Sequence, residues 1–305
     1  MEYQGVKDWE GLIDPLDDNL RTQILGYGHF VEAAYRSFDF DTSSPTYATC
    51  PYPKRRLLLS NMRRPPRYKV TRNLHATCGG VRIPRWVPSA PSSSWIGYVA
   101  VCDDAEEIAR VGHRNVVIAF RGTATLPEWL ENLRIMLTPL PDDMAPAAAD
   151  ADRDSQQPMV QRGLLSMYTS SGHKCGGRQS LRDAIREEMQ YIVKRYGGGG
   201  GAISVTITGH SLGAALATLA AYDIRTTAEW GDAPPPLVTV VSFGGPRVGN
   251  KEFRSRLEAS GTKILRIVNR DDPITKVPGF VLDEDVAAAG RGAAVGAWVR
   301  KCVHF

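Results

Sequence analysis

Residues 205–223, VTITGHSLGAALATLAAYD, set the tightest limit on how this chain can fold. β-branched residues run into Gly-His-Ser-Leu-Gly, and small apolar residues then continue at helical density. Strands and helices alternate around this stretch. A helix with Leu181, Ile185, Met189, Ile192 and Tyr196 on one face ends in the glycine run 197–201. A strand over 203–208, a helix from 211, a strand over 237–243 after three prolines, a helix from about 250 and a strand over 264–268 follow. Alternation at this spacing predicts βαβ units and a mainly parallel sheet. Earlier strands are expected at Trp95–Val101 and Val116–Phe120. A helix is expected over 14–38, opening at Asp14-Pro15, with Leu16, Leu20, Ile24, Tyr27, Val31, Tyr35 and Phe38 at helical spacing. Residues 39–75, rich in Pro, Ser and Arg, read as a long surface excursion, and 140–160 as a low-complexity loop.

Composition narrows the function. A chain of 305 residues can bury a large core, as one α/β domain or two smaller ones. An apolar fraction of 43% and a charged fraction of 23% are those of an ordinary globular protein. The net charge of +4 is too mild to make nucleic acid the main partner. Lys54, Arg55, Arg56, Arg63, Arg64, Arg67, Lys69 and Arg72 nevertheless fall within nineteen positions. They read first as a solvated basic face and second as a site for anionic lipid headgroups. Five widely spaced cysteines without a CxxC argue against a disulfide framework or a zinc site. No apolar run reaches the roughly 18–20 residues of a membrane span. The first residues carry neither a signal-peptide nor a transit-peptide pattern.

Gly209-His210-Ser211-Leu212-Gly213 has the G-x-S-x-G pattern, and its strand-before, helix-after context is the one that pattern requires. A side chain at either glycine would collide with neighbouring backbone, and the strained corner would expose the Ser211 hydroxyl above the sheet. The helix N-terminus beside it supplies N–H groups and partial positive charge where an oxyanion would form. Ser211 therefore reads as a nucleophile. Its orienting acid should follow a later strand, and Asn269-Arg270-Asp271-Asp272-Pro273 after the strand ending at Val268 offers either Asp271 or Asp272.

Four segments in order, AFRGTATLPEWLENL (119–133), ITGHSLGAALATLAAYDI (207–224), VVSFGGPRVGN (240–250) and LRIVNRDDPITKVPG (265–279), resemble the class 3 lipases. Within them the chain is similar to the plastid-type plant phospholipase A1 group. The N-terminal segment MEYQGVKDWEGLIDPLDDNLRTQILGYGHFVEAAYRSFDFD and SSWIGYVAV (93–101) share that likeness. The resemblance implies an α/β-hydrolase fold: a mainly parallel sheet flanked by helices, with an N-terminal helical extension. Residues 1–90 would be the extension and surface segment, 91–285 the hydrolase core, and 286–305 an atypical Ala/Gly-rich tail.

The resemblance also implies roles. Ser211 would be the nucleophile and Asp272 the triad acid, because Pro278 stands six residues after it as in the family. Thr123 and the backbone N–H of Leu212 would form the oxyanion hole. Leu126, Trp129, Leu130, Leu133 and Met136 form an apolar stripe that spacing alone reads as a core-facing helix. The family position makes it a lid. The implied substrates are polar glycerolipids at a membrane interface, phospholipid or galactolipid, with triacylglycerol possible. Neither metal nor organic cofactor is implied, and the location is the chloroplast, with the cytoplasm as alternative. Oligomeric state stays open. The likeness stops at the triad histidine, which the family carries well downstream of the aspartate, beyond a further strand. His304 is the sole histidine after Asp272. It comes too early, so the expectation is an incomplete triad, a sheet short of its last strand, and His210 as a packing residue. The alternative reading is an impaired or truncated lipase-like protein that binds lipid or a partner.

Overall fold

A computed structural model describes residues 1–62, 67–77, 93–122, 136–145, 157–172, 179–197, 202–228, 230 and 235–276, and the backbone of 302–304. Seven strands make the main sheet, in the spatial order β1 (Tyr68–Thr77), β2 (Ser93–Cys102), β3 (Arg114–Phe120), β6 (Ile203–His210), β7 (Leu237–Phe243), β8 (Lys263–Val268), β9 (Cys302–His304). Strands β1 to β3 pair antiparallel, and everything from β3 to β9 is parallel. Two short strands, β4 (Leu137–Pro139) and β5 (Met159–Gln161), pair separately. The pairing of β9 with β8 corrects the expectation of a missing last strand.

Each face of the sheet carries its own core, because side chains alternate along a strand. On β3, Val117 and Ala119 point to one side, and Val116, Ile118 and Phe120 to the other. The first side packs against α1 (Asp18–Arg36), α2 (Lys54–Asn61) and the N-terminal turn through Trp9, Leu20, Ile24, Phe30, Trp95 and Tyr98. The second packs against α4 (Arg162–Thr169), α5 (Leu181–Tyr196), α6 (Leu212–Thr227) and α7 (Lys251–Ala259). A further short helix, α3 (Ala105–Val111), precedes β3. Helix α6 is apolar nearly all round and buried along most of its length, as a helix in mid-core must be.

Helix α1 starts later than the spacing suggests, at Asp18, because the Asp17 carboxylate caps it by accepting from Asn19 N–H and Leu20 N–H, both at 2.9 Å. Residues 39–75 are more than a surface excursion. They contain α2 and most of β1, whose Val70, Leu74 and Ala76 are buried despite the charges between them. Three members of the basic cluster form ion pairs: Arg67 with Glu107 (2.8 Å), Lys69 with Asp103 (2.9 Å) and Arg72 with Glu187 (2.7 Å); Arg63 and Arg64 lie outside the described residues. Lys54 Nζ donates to the Thr71 carbonyl.

The N-terminal segment is tied to the sheet by a buried polar chain. Gln4 Nε2 donates to Ser204 Oγ (3.2 Å), and Thr239 Oγ1 donates to the Gln4 carbonyl (2.7 Å). Asn115 joins the hydroxyls of Ser204, Thr206 and Tyr27. These bonds tie the N-terminal turn and α1 to the register of β3, β6 and β7, although Gln4 Oε1 and Trp95 Nε1 are buried there without a hydrogen-bond partner among the described residues.

Candidate active site

The parallel strands end together on one rim. Phe120 lies opposite Gly209, His210 opposite Phe243, Phe243 opposite Ile267, and Val268 opposite His304. The chain leaves β6 at His210 and enters α6 at Leu212, so Ser211 alone makes the corner. It does so at φ 55° and ψ −120°, a conformation that L-residues other than glycine rarely hold. Three backbone bonds hold it there. Ser211 N–H donates to the Phe243 carbonyl (2.9 Å), and the Ser211 carbonyl accepts from Ala214 N–H (3.0 Å) and Ala215 N–H (3.3 Å).

The two glycines of the motif are explained by close approach. A Cβ on Gly213 would lie 2.5 Å from the Arg121 carbonyl oxygen and 2.7 Å from that of Phe120. One on Gly209 would lie 2.7 Å from Ala214 N and press on Gly213 as well. Strand β6, helix α6 and the end of β3 meet at this corner with no room for a methyl group. Leu212 and Gly213 carry the first amides of α6, which no carbonyl within the helix can accept. They and the positive end of the helix dipole favour negative charge beside Ser211.

The turn after β3 is held down by Arg121. Its guanidinium donates to the carbonyls of Trp95 (2.9 Å) and Gly122 (2.8 Å) and to Ser94 Oγ (2.9 Å), and it stacks 3.6 Å from the Phe38 ring centroid. Gly122 abuts the elbow: a Cβ there would come 2.8 Å from the His210 carbonyl and 3.4 Å from Ser211 Cβ. Thr123 follows immediately. Thr123, Leu126, Trp129, Leu130 and Leu133 lie outside the described residues; Met136, at the end of the stripe, is exposed.

Of the two candidate acids, the structure brings Asp272 to the elbow and leaves Asp271 exposed. Asp272 Oδ1 accepts from Ile274 N–H (2.9 Å), and its carbonyl accepts from Thr275 Oγ1 (2.9 Å), which folds the loop back over β8. Its Oδ2 lies 3.2 Å from the place a Cβ on Gly244 would take, and His210 Nε2 lies 3.6 Å from the same place. Gly244 turns the chain out of β7 at φ 55°, and a side chain there would crowd both. Burial pulls the His210 imidazole below its ordinary pKa, against the opposing charge of Asp272. His304 stands on β9 in register with Val268, at the same carboxyl rim.

Sequence reasoning missed Tyr35. Helical spacing assigns it to the core face of α1, but its hydroxyl reaches the site: Tyr35 Oη lies 2.8 Å from His210 Nδ1 and also engages the Gly122 amide. Burial raises the phenol's pKa, with the Gly122 amide and the Arg121 charge opposing. A tyrosine in a heptad-like row carries no sign of this from sequence alone.

A mainly parallel sheet with a serine held at a strained strand-to-helix corner on its carboxyl rim is the arrangement of the α/β-hydrolases. Solved lipase structures share the fold. Lip2 lipase of Yarrowia lipolytica aligns at TM-score 0.54 and 19% identity, over 87% of this chain and 76% of that one. The lipase of Rhizopus microsporus var. chinensis aligns at TM-score 0.52 and 19% identity, over 86% and 70%. The chain belongs to the class 3 lipases, whose family profile, Lipase (class 3), matches residues 117–282. Among curated relatives it is 58% identical to phospholipase A(1) DAD1, chloroplastic, of Arabidopsis thaliana, over 93% of this chain and 61% of that protein. It is 40% identical to galactolipase DONGLE, chloroplastic, of the same plant, over 95% and 60%. It is 37% identical to phospholipase A1-II 4 of Oryza sativa subsp. japonica, over 91% and 69%. The chain spans about three fifths of the length of the first two.

Proposed function

We propose that the chain carries the catalytic body of an acyl-ester hydrolase acting on polar glycerolipids, of phospholipase A1 or galactolipase type, in the chloroplast. In this reading Ser211 Oγ attacks the ester carbonyl. The Leu212 N–H and Thr123 hold the oxyanion, and Asp272 orients a histidine that takes the serine proton. The acyl group passes to Ser211, the lysolipid leaves with the proton, and water then releases the fatty acid. Leu126, Trp129, Leu130 and Leu133 would cover the pocket and open against an apolar surface. The observation that carries the reading is Ser211 at φ 55° at the head of α6, with the Asp272 carboxylate and not Asp271 turned toward the same rim. Relatives named as phospholipases A1 and a galactolipase support the substrate class, and their chloroplastic names support the location.

A fluorophosphonate probe tests it, because the probe bonds only to an activated serine. Labelling at Ser211, lost in Ser211→Ala and accompanied by release of fatty acid from phosphatidylcholine or monogalactosyldiacylglycerol vesicles, is the expected result. Labelling that persists in Ser211→Ala would overturn the assignment. If residues 125–137 form the lid, Trp129→Ser should lower hydrolysis of vesicles more than that of a soluble short-chain ester; equal losses would return the segment to a core helix.

A further inference from the structure

Residues 42–102 contain ten lysines and arginines and not one aspartate or glutamate. The cations of this run must find their acids outside it, and some do. Arg67, Lys69 and Arg72 pair with Glu107, Asp103 and Glu187, all beyond residue 102. Arg55 and Arg56 do not. Both stand exposed on α2 and reach no carboxylate among the described residues. Helical spacing turns Leu57, Leu58 and Asn61 of α2 inward, where they are buried, and brings Arg55, Arg56 and Leu59 together on the outer face. Leu59, one turn after Arg55, is 62% exposed.

The same helix ends close to the candidate active site. Asn61 Nδ2 donates to Ser37 Oγ (3.0 Å) just past the end of α1, and Tyr35 in the last turn of α1 hydrogen-bonds His210 at the elbow. Phe40, 44% exposed, packs edge-on against Phe38 with ring centroids 4.6 Å apart. Phe38 in turn lies under the Arg121 guanidinium, which holds the Gly122 turn beside Ser211. The end of α2 and Phe40 therefore border the rim that carries the serine.

We propose that the outer face of α2, with Arg55 and Arg56 on either side of Leu59, is together with Phe40 a docking surface for an anionic lipid bilayer. Anionic headgroups supply the charge that the two arginines lack within the protein, and the acyl boundary takes the Leu59 and Phe40 side chains out of water. The choice of a bilayer over an acidic protein rests on the reading of the site as a glycerolipid hydrolase, since a membrane held at this rim brings its esters to Ser211. The lipid that anchors is then distinct from the lipid that is cleaved. An uncharged galactolipid is hydrolysed faster in a membrane that also holds anionic lipid.

Vesicle flotation with the full chain carrying Ser211→Ala measures docking without turnover. Vesicles of phosphatidylcholine with about one third phosphatidylglycerol should retain the protein, vesicles of phosphatidylcholine alone far less, and added salt should weaken the retention. Arg55→Gln combined with Arg56→Gln should lower partitioning onto the anionic vesicles roughly 20-fold, about 5-fold for each charge. In the chain with Ser211 intact, the same pair of changes should leave the melting temperature and the hydrolysis of a soluble ester as they were. Leu59→Ser should weaken binding to both kinds of vesicle. Lys7→Gln combined with Arg21→Gln is the control. It removes the same charge at the opposite rim, where α1 begins and Asp8 pairs with Lys263 at the start of β8, and should bind like the parent. Equal binding to the two kinds of vesicle, or equal losses in the two double variants, overturns the docking surface. So does retention on immobilised polyglutamate without vesicle binding, which would make the occupant an acidic protein. A chain that docks through α2 but releases no fatty acid refutes the proposed hydrolase and not the docking; vesicle hydrolysis indifferent to the change at Arg55 and Arg56 refutes the docking and not the hydrolase.

Discussion

Replacing Ser211 by glycine should stabilise the protein while removing its nucleophile. The corner at φ 55°, ψ −120° is held against the preference of any residue with a Cβ, at a cost of roughly 1–3 kcal/mol. Glycine takes that conformation freely, but it adds about 0.5–1 kcal/mol of backbone entropy to the unfolded chain. The net gain is therefore about 1 kcal/mol. The side chain itself contributes little: Ser211 makes no capping bond to α6, and the backbone bonds to Phe243, Ala214 and Ala215 survive the change. Ser211→Ala is the control, since it loses the same hydroxyl and keeps the strained backbone. At about 2–4 °C per kcal/mol for a domain in this size range, Ser211→Gly should melt about 2–4 °C above Ser211→Ala, with Ser211→Ala close to the parent. Differential scanning calorimetry on the three proteins at one pH and concentration reads this directly. A glycine variant that melts at or below the alanine variant would show that the corner stores no strain.

Asp272→Asn should lower hydrolysis by about 10⁴, the precedent for a triad acid that loses its charge, while Asp271→Asn changes it little; rates on a soluble ester decide, and the reverse order would move the acid to Asp271. Asp223 is fully buried in α6, where it accepts from Arg182 (3.1 Å), Arg186 (3.2 Å), Tyr168 (3.0 Å) and Thr227 (2.8 Å). Asp223→Asn leaves two guanidinium groups against a neutral amide and should cost roughly 3–5 kcal/mol in denaturant titration; a loss under about 1 kcal/mol would contradict the network. Burial holds His113 and His210 below their ordinary pKa of 6.5, so between the folded and unfolded values the unfolded chain binds more protons. Their contribution is complete above about pH 6.5 and is lost as pH falls through that value toward the folded pKa. Melting temperatures from pH 7.5 to 5 should therefore fall less steeply in the His113→Gln, His210→Gln double variant, and an unchanged slope would refute the assignment.

Local pattern in the sequence was enough to determine the parallel half of the sheet. β-branched runs ending at Val268, Phe243 and the Gly209 corner, each separated by a helix with one apolar face, can bury those faces only by stacking in parallel. The elbow was equally legible, since only glycine fits where three backbones converge, and Gly-x-Ser-x-Gly states that need in five letters. Other features depend on contacts between residues far apart in the chain, and only the tertiary structure decided them. Strand β1 is scarcely visible in YKVTRNLHAT because its charges are satisfied by acids on α5 and in the residues just after β2, and it holds its place by pairing with β2. The last strand is three residues long, too short for periodicity to show, and exists because the edge of β8 offers it a ladder. Between Asp271 and Asp272 residue types alone decided nothing; the family's spacing to Pro278 already pointed to Asp272, and the tertiary structure adds that Asp271 is exposed while the Asp272 carboxylate lies near Gly244. Tyr35 reaches His210 across 175 positions of sequence. Only the packing of α1 on the sheet makes them neighbours, because a hydrogen bond is set by distance in space and leaves no periodic mark on the chain.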